Sequence, residues 1–202
     1  APARPFSEIL AQPRIIAAML GAIIGYAMMN FLMTSTSLAM TVHNHTGRDA
    51  AFVIEWHIVA MFAPSFFTGI LIQRFGTNTV MSCGALLMMA TIYTAVSGTS
   101  VAAFWSALVL LGVGWNFLYI GGTTLLTASH RTSERGKVQG LNDMLVFVGT
   151  GTSSMLSGAL LYYAGWQTMV LVTLPLPLIA LGVLYWARTR PFVENDAVFD
   201  ED

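Results

Sequence analysis

Residues 111–143 read LGVGWNFLYIGGTTLLTASHRTSERGKVQGLND. Up to Ala128 the stretch is apolar or small, and His130, Arg131, Arg135 and Lys137 then fall close together before the chain turns apolar again at Leu141. A helix that crosses a bilayer needs about 20 mostly apolar residues. The stretch therefore predicts a membrane helix, a charged turn and a second membrane helix.

The composition extends this reading to the rest of the chain. Hydrophobic residues make up 55% and charged residues 9%, with a mean hydropathy of +0.68; soluble domains carry roughly 25% charged residues. The net charge of -1 provides no overall basic character for nucleic acid. The single cysteine, Cys83, excludes an internal disulfide framework. The opening APARPFSEILAQP lacks Met and the pattern of a signal peptide, so the sequence is expected to begin inside a longer protein.

Six stretches qualify as spans: 15–40, 52–72, 79–97, 101–128, 141–163 and 166–187. Residues 1–14 form a cytoplasmic N-terminal segment, 15–187 a six-helix bundle and 188–202 an acidic, disordered cytoplasmic tail. Basic residues favour the cytoplasmic side. With the N-terminus inside, Arg4, Arg14, Arg74, Arg131, Arg135, Lys137, Arg188 and Arg190 lie inside and Arg48 lies outside. Trp56, Trp105 and Trp166 then fall at the outer boundary and Trp186 at the inner one. The expected location is the bacterial cytoplasmic membrane.

Polar residues within spans are the informative ones, because a polar group facing lipid is costly. Tyr26, Asn30, Thr34, Ser37 and Thr41 share one face of the first helix, and Gly112, Asn116, Tyr119, Thr123 and Thr127 share one face of the fourth. Asn30-Phe31-Leu32 matches Asn116-Phe117-Leu118 at a constant offset, as Ser37 and Thr41 match Thr123 and Thr127. The two helices run in opposite directions, so a three-helix repeat would be inverted, as in secondary transporters.

Two loops carry a family resemblance. Gly69, Gln73, Arg74 and Gly76 in GILIQRFGT resemble the G-x-x-x-D-R-x-G loop motif of the major facilitator superfamily, with Gln73 in place of the Asp. Arg135, Gly136 and Gly140 are similar to its R-G-x-x-x-G turn between helices ten and eleven. The resemblance extends from Pro13 to Arg190 in helix order and loop length. It implies the C-terminal six-helix half of a twelve-helix carrier, with the first and fourth helices standing as helices seven and ten, which line the central cavity.

Tyr26, Asn30, Thr34, Asn116, Tyr119 and Thr123 are accordingly the expected substrate-lining residues. The competing reading makes them bonds between helices or back to their own helix. Asp143 is expected in the first turn of the fifth helix, paired with Arg135 or Arg74, or as a gate or protonation site. Glu55 and His57 open the second helix near the outer surface, Glu55 being the stronger coupling candidate. His43, His45 and Asp49 have no zinc-type spacing, so no metal and no cofactor is expected. Pro64, Pro175 and Pro177 interrupt their helices.

The expected fold is an all-α membrane protein. The expected function is secondary transport of a small solute by alternating access, not enzymatic catalysis. The partners are the bilayer, the solute and the missing N-terminal half, with proton coupling open. Neutral, partly aromatic stripes favour a neutral, aromatic or amphiphilic solute. The alternative is a self-contained six-helix protein, acting as a dimeric carrier or as a receptor or scaffold.

Overall fold

The computed structural model describes residues 4–190, which form eight α-helices and one short 3-10 turn and include no strand. After a short helix α1 (Phe6–Leu10), the chain runs through α2 (Pro13–Val42), α3 (Gly47–Phe62), α4 (Ser65–Phe75), α5 (Thr77–Val96), α6 (Val101–Thr127), α7 (Arg135–Val172) and α8 (Pro175–Thr189). Helices α2, α5 and α6 are each long and apolar enough to cross a membrane, and α3 with α4 make a further span bent by 42°.

The region 132–189 is too long for one crossing. The chain reverses at Gly165, whose φ of 75° suits glycine because it has no Cβ. The following Trp166 donates its indole N–H to the Ala95 carbonyl at the end of α5 (3.0 Å). Residues 166–189 then return along α5 and α2, with a break before Pro175. The connections between these helices are short.

Helix α6 is the axis of the bundle and packs on α5, α2 and α3. In lipid, close backbone approach supplies much of helix association, and α6 places small residues toward each neighbour. A Cβ on Gly112 would stand 2.8 Å from the His57 carbonyl of α3, and one on Gly122 would stand 2.8 Å from the Ala18 carbonyl of α2. Between these contacts, Met28, Leu32, Met81, Met88, Leu108, Leu111 and Leu118 fill the interior with almost no exposure. The flexible thioether chains fit the gaps left by the glycines.

Several boundaries differ from the sequence expectation. The helix of the second expected span begins at Gly47, ahead of Phe52, because Thr46 and Asp49 form a reciprocal capping box that starts the helix early. The helix of the fifth expected span begins at Arg135, so the basic residues Arg135 and Lys137 lie within α7 and not in a loop. Asp143 is therefore two turns into the helix, beyond the reach of its N-terminal dipole.

Trp56 and Trp105 are 6.2 Å apart at the same end as Trp166, while Trp186 lies near Arg190 at the other end. Of the tail expected at 188–202, Arg188 and Thr189 belong to α8 instead, and 191–202 lie outside the described residues.

Candidate functional site

Four aromatic side chains meet near the middle of α2 and α6. Tyr119 lies one helical turn after Trp115, and their rings stack at 5.3 Å with an interplanar angle of 11°. Tyr26 of α2 meets both edge-on, at 5.4 Å from Trp115 and 5.0 Å from Tyr119. Phe62, the last residue of α3, meets Trp115 edge-on at 5.9 Å. Trp115 is 4% exposed and its indole N–H has no hydrogen-bond partner, whereas Tyr26 and Tyr119 are partly exposed. The two tyrosines therefore present accessible ring surface, and the tryptophan backs them.

Thr123 follows Tyr119 by one turn and bonds back to the carbonyls of Tyr119 and Ile120. With Thr124, Thr127 and Ala128 it lines an open groove toward the end of α6. Thr34, on α2, is exposed. The structure thus brings Tyr26 and Tyr119 together and sets Thr123 beside them.

The two asparagines are differently placed. Asn116 is fully buried and donates its amide to the Met61 carbonyl and to Ser65 Oγ, both at 2.7 Å. The Thr68 hydroxyl lies 2.7 Å from Asn116 Oδ1. Asn30 Nδ2 lies within 3.1 Å of the Thr150 carbonyl and 2.6 Å of Ser154 Oγ on α7. Each asparagine reaches the second span of the opposite three-helix repeat, which gives the sequence correspondence a geometric counterpart. Both amide groups make hydrogen bonds between helices, Asn116 fully buried and Asn30 partly exposed.

The candidate gating residues do not assemble into one cluster. Asp143 is exposed on α7 and accepts from the Asn142 amide at 3.3 Å; no ion pair joins it to Arg135 or Arg74 among the described residues. Arg135 bonds Gln139, and Arg74 lies over the Phe75 ring. Glu55 is exposed on α3. His57 does not sit at a solvated helix start: it is fully buried, its Nδ1 is 2.7 Å from the Leu108 carbonyl, and its Nε2 has no partner. The capping box moved the helix start outward and left His57 deep against α6. His43 and His45 bond the carbonyls of Ala39 and Thr99, so each is tied to a helix end or loop.

An ion pair that the sequence expectation missed lies at the end carrying most basic residues. Glu134, 1% exposed, accepts from the Arg4 backbone and guanidinium and from the Arg131 backbone N–H, at 2.8–3.0 Å. The Arg4 hydrogen bonds hold its carboxyl down at about 2. The pair fastens the segment before α1 to the turn before α7. Its partners are 130 residues apart, so no local spacing could announce it.

The sequence profile of the Major Facilitator Superfamily matches residues 3–201. The chain belongs to the Major Facilitator Superfamily. The riboflavin transporter RfnT of Brucella anthropi is 43% identical over 188 residues, covering 93% of this chain and 47% of that protein. The uncharacterised MFS-type transporter YdeG of Bacillus subtilis is 36% identical over 161 residues, 79% of this chain and 37% of its own length. The riboflavin transporter RibZ of Clostridioides difficile is 21% identical over 135 residues, 66% of this chain and 30% of its own. The chain spans about half or less of the length of these relatives. Membership agrees with the all-helical membrane fold and with the two loop motifs; Gly76, which closes the first motif, has a φ of 84°, as a glycine turn between α4 and α5 requires.

Proposed function

We propose that this chain is the second six-helix half of a twelve-helix secondary transporter, and that the carrier moves a flavin or a solute with a similar planar heteroaromatic ring. The observation that carries the substrate is the Tyr26–Trp115–Tyr119 cluster, at mid-length on the two helices expected to line the cavity. A planar ring gains by stacking on such surfaces, and fixed aromatic side chains lose little conformational freedom on binding. The similarity to two proteins named as riboflavin transporters supports the same solute class.

In this reading Tyr26 and Tyr119 contact the ring. Thr34 and Thr123 line the wall beyond them and supply hydroxyls to polar substituents, while Asn30 and Asn116 hold the wall in place. Trp115 stiffens Tyr119 from behind. Asp143, an exposed carboxylate on α7, is the residue assigned to coupling. The inverted repeat supports alternating access, with this half rocking against the other around a site between them. The excess of basic residues at one end supports cytoplasmic termini for this segment.

The test is uptake of labelled riboflavin into proteoliposomes containing the complete carrier that includes this chain. Saturable uptake, competed by lumiflavin and absent with the 202-residue chain alone, is the expected outcome. Purified complete carrier that neither binds nor moves riboflavin would overturn the substrate class.

A further inference from the structure

The span made by α3 and α4 is bent by 42° where Pro64 interrupts it. Proline lacks the N–H that would continue the helix ladder, so carbonyls near the break need other partners. Asn116 supplies one: its amide bonds the Met61 carbonyl before the break and Ser65 Oγ after it. The Thr68 hydroxyl, 2.8 Å from the Pro64 carbonyl, meets Asn116 from the inner arm. One side chain of α6 therefore holds both arms of the bent span.

The arms are packed unequally. Against α3, α6 brings Gly112 so close that a Cβ there would stand within 3.0 Å of the His57 carbonyl, Ala60 and Met61 N. On α4, Thr68 alone is buried, and Phe66 is 90% exposed. The outer arm is fixed to α6 and the inner arm is held mainly at its first turn. The corresponding contact of Asn30 falls on α7 where that helix continues unbroken, so the two equivalent contacts differ in this bend.

The same residues adjoin the aromatic site. Asn116 follows Trp115 directly, and Phe62, which contacts Trp115, follows Met61 directly. A shift of the Trp115–Phe62 contact therefore displaces the two ends of the Asn116–Met61 bond.

We infer that Asn116 is a positioning residue for transport: it pins a hinge at 61–65 and couples occupancy of the aromatic site to the angle of α4. The inference rests on the reading of that site as the solute site. It predicts that loosening the pin slows the movement of bound solute without weakening binding.

The experiment uses the complete carrier on a Cys83→Ser background, with Asn116→Leu, Thr68→Val and Thr68→Ser. Riboflavin affinity is measured by quenching of flavin fluorescence, and the maximal uptake rate in proteoliposomes. Spin labels at Ala51→Cys and Phe75→Cys, both exposed positions, report the bend. At about 1.5 Å per residue, straightening the span lengthens this distance by about 2 Å.

Asn116→Leu should lower the maximal rate at least tenfold, keep Kd within threefold and shift or broaden the label distance. Thr68→Val should do the same more weakly, about threefold in rate, and Thr68→Ser should restore it. Unchanged rates and distances in Asn116→Leu, or rate and affinity falling together with thermal stability, would overturn the inference. If Asn116→Leu does not fold, the Thr68 pair decides by the same criteria. If wild-type carrier binds no riboflavin, the substrate reading fails, and the label distance measured without flavin still decides the hinge.

Discussion

Replacing Tyr119 by Leu removes the ring with the most direct claim to solute contact. Trp115 is 4% exposed and can offer a ligand little surface, whereas Tyr119 stacks one face on Trp115 at 5.3 Å and remains partly open. Stacking of a heteroaromatic base on an aromatic side chain contributes about 1–3 kcal/mol. Part of the Tyr119 ring is already used by Trp115 and Tyr26, so a value of about 1–2 kcal/mol applies, which is roughly a 5- to 30-fold rise in Kd. Tyr119→Phe keeps the ring and should stay within about threefold of wild type. Tyr93→Leu, at a position 73% exposed on α5, serves as the control and should not change Kd. Riboflavin titrations of the complete carrier in detergent, followed by flavin quenching, measure all three. A Kd for Tyr119→Leu within twofold of both wild type and Tyr93→Leu would refute the assignment of the aromatic cluster as the solute site.

Two further perturbations test the fold that holds this site. Glu134→Gln removes the carboxylate that accepts from Arg4 and Arg131; its carboxyl stands at about 2 against an ordinary 4.5, and the pair is nearly closed to solvent, so about 1–3 kcal/mol is lost at neutral pH. Because the value is lowered, this stabilisation is complete above about 4.5 and fades as pH falls through about 2. The thermal midpoints of wild type and Glu134→Gln should therefore differ at pH 7 and converge in acid; a constant difference down to pH 2 would contradict the pair. Gly122→Ala forces a methyl to 2.8 Å from the Ala18 carbonyl, backbone that cannot turn aside, and should cost about 1–3 kcal/mol. Gly158→Ala, with nothing within 4 Å in α7, should be neutral or stabilise by up to about 1 kcal/mol; equal midpoints for the two variants would contradict the packing of α6 on α2.

The sequence by itself determined the all-helical membrane class of the fold and the family. These depend on local quantities: apolar length against bilayer thickness, basic residues at helix ends, and glycine and arginine spacing in two loops. It also identified the faces of α2 and α6 that carry Tyr26 and Tyr119, because helical periodicity fixes which side chains share a face. It could not decide which polar groups on those faces remain open. Asn116 and Tyr119 lie on one stripe, yet Asn116 is enclosed by Met61, Ser65 and Thr68 while Tyr119 keeps an accessible ring. The difference arises from a break in another helix more than fifty residues away in the chain. His57 and Glu134 show the same limit: one was buried by a helix start moved outward by a capping box, the other by an arginine near the far end of the sequence. Periodicity is a property of one helix, whereas burial and hydrogen-bond satisfaction belong to pairs of helices, and only the tertiary structure decides those pairs.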